Sequence, residues 1–133
     1  MRFTTPRQKA IVIAVLVALD IVLALVLDAL HSEAGSIVLT VLQTAGWYLA
    51  TRVFRGPGES VQAARPWWRM TNRPLLSSVL GALYAVSAVG NAFFSFAGYG
   101  SVSGWVSILG QAALAALFLG SAARLRTLAR VAA

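Results

Sequence analysis

Apolar residues in this chain fall in long unbroken runs, separated by short polar stretches. From Leu75 to Ala123 there are 49 residues without Asp, Glu, Lys, Arg or His. As one helix that run would extend roughly 73 Å, at about 1.5 Å per residue. A bilayer core is roughly 30 Å thick, so the run is predicted to fold back once. Gly98, Gly100, Ser101, Ser103 and Gly104 place the break between Ala97 and Gly104. Upstream, residues 10–30 form an apolar run with Asp20 at its centre, and Ala34 to Thr51 is free of charge. Together these predict an all-α, polytopic membrane protein with one membrane domain. Its four transmembrane helices would lie near residues 10–30, 35–53, 75–96 and 102–123. The connection at residues 54–74 contains Gly56-Pro57-Gly58, a turn signal. We expect it to lie at the interface, with a short helix from Glu59 to Arg65.

Composition supports this reading. Hydrophobic residues make up 59% and charged residues 11% of the 133 residues, against about 45–50% and about 25% in soluble domains. A soluble fold this small could not cover so much apolar surface, and a disordered chain would be far more polar. The absence of cysteine excludes disulfides, thiolate zinc sites and iron–sulfur clusters.

The net charge of +7 has a one-sided distribution. Arg2, Arg7 and Lys9 precede the first span. Arg52, Arg55, Arg65, Arg69 and Arg73 lie between the second and third. Arg124, Arg126 and Arg130 follow the fourth, which accounts for all 11 basic residues. Lys and Arg accumulate in cytoplasmic loops, so both termini are expected in the cytoplasm. The charge is assigned to orientation and to anionic lipid headgroups, not to nucleic acid. Ten arginines against one lysine hint at a GC-rich bacterial genome, hence a bacterial inner membrane. The first run follows basic residues as a secretory leader would, but its length and central acid predict a retained span.

Candidate chemistry lies at two levels. Asp20, Gln43, Tyr84 and Gln111 fall near the centres of their spans, and Asn91 lies about 8 Å outward by helical rise. Lipid cannot satisfy such groups, so they are expected to face one another. An intramembrane acid marks a functional site by default; Asp20 is either a protonation site or a hydrogen-bonded pin between helices. Extrapolating α-helical periodicity from Asp20 brings His31 onto its face, which would carry a polar track to Asp28, His31 and Glu33. Those three are also a weak candidate for metal ligation, although solvated loop charges explain them.

Small residues recur at four-residue spacing in Ser77–Gly81–Ala85 and Ala112–Ala116–Gly120, rows that let helices approach closely. Arg65, Trp67, Trp68 and Arg69 are expected at the lipid or partner interface. No nucleophile–base pair and no cofactor motif is evident, so no enzymatic activity is expected. Two functions remain. The first is a subunit acting through helix association, with itself or with a larger membrane protein. The second is an oligomeric proton- or cation-coupled transporter or channel centred on Asp20. Four spans with an acid in the first resembles the small multidrug resistance transporters, dimers in which that acid exchanges protons for cationic drugs. Here the acid is Asp rather than Glu, it stands among Ile, Val and Leu, and the charge bias is strong, so no family is assigned.

Overall fold

A computed structural model describes residues 3–133 and contains four α-helices and no strand among them. They are α1 (Pro6–Ala29), α2 (Glu33–Val53), α3 (Pro74–Phe94) and α4 (Val102–Val131), with one wider π turn at Ser95–Tyr99. Arg2, counted above among the basic residues before the first helix, lies outside the described residues.

Local sequence chemistry sets the helix starts. The Thr5, Ser32 and Ser101 hydroxyls accept from the amides of Gln8, Gly35 and Gly104, which satisfies first-turn donors lacking a helical partner. Pro6 and Pro74 occupy first-turn positions of α1 and α3, where the missing N–H is harmless. The α3–α4 reversal falls inside the predicted window. Gly98 there has φ of 97°, a left-handed conformation that glycine adopts without a Cβ clash.

Three helical stretches are long and apolar enough to cross a membrane: Pro6–Ala29, Pro74–Tyr99 and Val102–Val131. Helix α2 is less apolar, because Ser36, Thr40, Gln43, Thr44 and Thr51 interrupt it. Helix α4 runs eight residues past the predicted end at 123, carrying Arg124, Arg126 and Arg130 on its last turns.

The extensive interfaces are α3 with α4, α4 with α2, and α2 with α1, so α1 and α3 are the outer members. Met70, Leu114 and Phe118 form the buried core, surrounded by Trp47, Tyr84, Leu80 and Leu117. The Tyr84 and Phe118 rings stack with centroids 5.9 Å apart. Helix α1 buries no residue fully. It is tied down at its start, where Phe3 N–H donates to Val53 O and Arg55 N–H to Phe3 O, both at 3.0 Å.

Residues 54–74 form a folded cap over one end of the bundle, with no helix at 59–65. This corrects the short helix expected there. The reason is the Arg65 side chain, which is 3% exposed and organises the cap through its guanidinium. Its Nη1 donates to the carbonyls of Thr51 and Met70 at 2.6 and 2.8 Å. Its Nη2 donates to Phe54 O and Glu59 Oε2 at 2.9 and 2.6 Å, and its Nε to Glu59 Oε1 at 2.8 Å. In a helix over 59–65 the six-residue separation would put Glu59 and Arg65 about 120° apart around the axis, which their bidentate pairing does not allow.

Candidate functional site

The α1 residues with reduced exposure are Lys9, Val12, Leu16, Asp20 and Leu27. Their spacing puts them on one stripe, so Asp20 faces the other helices. Beside it lies a cavity of about 150 Å³ at mid-height, lined by all four helices. Asp20 comes from α1; Thr40, Gln43, Thr44 and Trp47 from α2; Tyr84 from α3; and Ser107, Gln111 and Leu114 from α4. The four polar residues expected near the centres of their spans, Asp20, Gln43, Tyr84 and Gln111, all line this cavity. Asn91, expected further outward, is not in the lining and donates its Nδ2 to Gln111 Oε1 at 2.9 Å.

The cavity is rich in acceptors. Thr40 Oγ1 donates to Ser36 O and Thr44 Oγ1 to Thr40 O, each at 2.9 Å. With their protons committed to the helix backbone, these hydroxyls turn lone pairs outward. The Asp20 carboxyl group and the Gln43 and Gln111 amides add further polar atoms, the amides bringing donors as well as acceptors. Such a lining suits a proton-donating water or a small cation.

Thr40, Thr44 and Ser107 join the cavity without standing out in the sequence as intramembrane polar residues. Their signal is the four-residue spacing of Ser36–Thr40–Thr44 on α2 and Ser103–Ser107–Gln111 on α4. These two polar rows lead from the cavity toward the end with the α1–α2 and α3–α4 turns. There the Glu33 carboxylate accepts from Ser103 N–H at 2.6 Å.

The track expected along α1 is not formed. Helix α1 stops at Ala29, and His31, with φ of 50°, lies in the turn, where helical periodicity no longer fixes its direction. Asp28, His31 and Glu33 are all exposed. Among the described residues, no three His or carboxylate side chains gather as a possible metal set.

The two small-residue rows part company. Ser77 and Gly81 are buried and Ala85 is half-buried at the α3–α4 contact. A Cβ added to Gly81 would lie 2.7 Å from Leu119 Cγ. Ala112, Ala116 and Gly120 point outward instead, and a Cβ on Gly120 would meet nothing within 4 Å.

The basic cap residues differ in exposure. Arg65 is enclosed, as described, with its side chain 3% exposed. Arg69 donates to Asn72 Oδ1 and is half-buried. Trp67 is 65% exposed and Trp68 half-buried, and the Arg124 guanidinium stands 5.7 and 5.5 Å from their ring centroids. Burial raises the Glu59 carboxyl pKa, but the Arg65 hydrogen bonds and the Gly56 N–H overcome this and hold it at about 2.

No protein-family model, curated protein or solved structure matches this chain.

Proposed function

We propose that this is a small bacterial inner-membrane protein that passes protons or a small monovalent cation through the Asp20 cavity. Its four helices span the bilayer, with both termini and the basic cap on the cytoplasmic side. The convergence of Asp20, Gln43, Tyr84 and Gln111 on one cavity carries this reading, since lipid-facing positions would have scattered them. Cavity size narrows the cargo. About 150 Å³ holds a few waters at about 30 Å³ each, whereas drug-sized ligands need about 300–1,000 Å³. The Ser/Thr rows supply access from the far side. No enzymatic step is part of this reading. The test is flux in proteoliposomes under an imposed proton, sodium or potassium gradient. Asp20→Asn should abolish flux while the particle size in detergent stays the same; equal flux in both proteins would remove Asp20 from the mechanism.

A second reading, helix association with itself or a larger membrane protein, is favoured by the outward Ala112–Ala116–Gly120 row. Here Gly120→Leu should reduce the native particle size, and an unchanged size would dismiss it. The Ser77–Gly81–Ala85 row is occupied within the chain and supplies no contact of that kind.

A further inference from the structure

A second cavity, of about 710 Å³, lies at the basic end and is lined by residues of all four helices and of the cap. Four cationic residues line it, Lys9, Arg55, Arg65 and Arg73, and no acidic residue does. Arg65 is engaged with Glu59 and backbone carbonyls. Arg55 is only 2% exposed and donates to Ala63 O at 3.2 Å. Lys9, whose Nζ donates to Arg55 O, and the exposed Arg73 stand on either side. Below them the lining becomes apolar: Ile13 on α1, Trp47 on α2, Leu76, Leu80 and Tyr84 on α3, and Phe118 on α4.

The cavity is thus polarised, cationic at one end and apolar in depth. Its length carries the rest. Arg73 and Tyr84 are separated by about 16 Å of helical rise, close to half of a roughly 30 Å hydrocarbon core. That is the depth of one leaflet. We infer that the cavity seats an anionic glycerophospholipid, with its phosphate near Lys9, Arg55 and Arg73 and one acyl chain running down to the Trp47–Tyr84 pair. A zwitterionic lipid would bring an ammonium group to the cationic rim, and a soluble anion would leave the apolar depth wet. The volume falls within the range of sites that enclose a ligand.

The inference rests on the bilayer placement proposed above, which flotation of the protein with vesicles checks separately, but it does not depend on ion flux. The experiment leaves Trp47 as sole tryptophan through Trp67→Phe, Trp68→Phe and Trp105→Phe. That protein is placed in phosphatidylcholine vesicles doped with acyl-brominated phosphatidylglycerol or acyl-brominated phosphatidylcholine, bromine being a contact quencher. Brominated phosphatidylglycerol should quench Trp47 at about tenfold lower mole fraction than brominated phosphatidylcholine. A second protein keeping only Trp105, at the opposite end, should give the same curve for both lipids. Adding Lys9→Gln and Arg73→Gln to the Trp47 protein should erase the phosphatidylglycerol preference. Coincident curves for the two lipids at Trp47 would overturn the assignment, as would a preference that survives the double substitution. If the double variant does not fold, the headgroup comparison in the otherwise native protein decides alone.

Discussion

The Met70 amide donates to the Ser121 hydroxyl at 3.0 Å, a buried bond between residues 51 positions apart. It fastens the cap to α4 beside the core, because Met70 itself is 1% exposed and packs on Leu114 and Phe118. Ser77 Oγ donates to the same hydroxyl at 3.4 Å and shares a 2.8 Å hydrogen bond with Thr71. Removing Ser121 Oγ leaves a buried N–H unpaired, at a cost of about 1–3 kcal/mol. Ser121→Ala should therefore lower the thermal midpoint in detergent and expose the cap to protease. An unchanged midpoint would mean that the cap is held by other contacts.

Acid should open the cap in a defined window. Glu59 falls from an ordinary value of 4.5 to about 2 in the folded chain. A carboxyl with a depressed folded pKa stabilises the fold above its unfolded value, and that contribution is lost as pH falls through the folded one. The Glu59–Arg65 contribution is accordingly complete above about pH 4.5 and disappears on approach to pH 2. Fluorescence of Trp67 and Trp68 reports the cap directly. Glu59→Gln should flatten the change within this window, and identical acid profiles for the two proteins would rule out the pair as its source.

Two glycines in small-residue rows should behave oppositely. At Gly81 even a methyl group would meet Leu119 Cγ at 2.7 Å and its backbone N at 3.1 Å. Overpacking of this kind typically costs about 1–3 kcal/mol, so Gly81→Ala should be clearly destabilised. Gly120→Ala meets open space and should unfold at or above the native temperature, since alanine also favours the helix. Equal shifts for the two would contradict the α3–α4 packing.

Much of this arrangement is legible in the sequence. Glycine and serine marked the α3–α4 reversal, because a 49-residue neutral run has to turn somewhere. The shared depth of Asp20, Gln43, Tyr84 and Gln111 was readable from position alone. The hydroxyl rows are hidden in the sequence, because Ser and Thr are accommodated in helices by bonding to the backbone one turn earlier. The role of Arg65 was also hidden, since backbone carbonyls hold it and carbonyls leave no trace in a sequence. One clue existed: Glu59 is the only acid between residues 34 and 133, and a lone carboxylate among arginines has a partner. Helical periodicity does not carry to His31, because the helix stops at Ala29.

Accessibility of the Asp20 cavity to water separates a conduit from a hydrogen-bonded pin. The sequence has no cysteine, so single thiols can be introduced without background. Ser107→Cys places one in the cavity lining, and Leu109→Cys places one at a side chain 70% exposed on the outer surface of α4. A small, charged, membrane-impermeant methanethiosulfonate is then applied to proteoliposomes from the side of the α1–α2 turn. The thiol at position 107 should react and the one at position 109 should not. Protection of both positions would contradict a hydrated route to Asp20 and leave the acid as a structural pin.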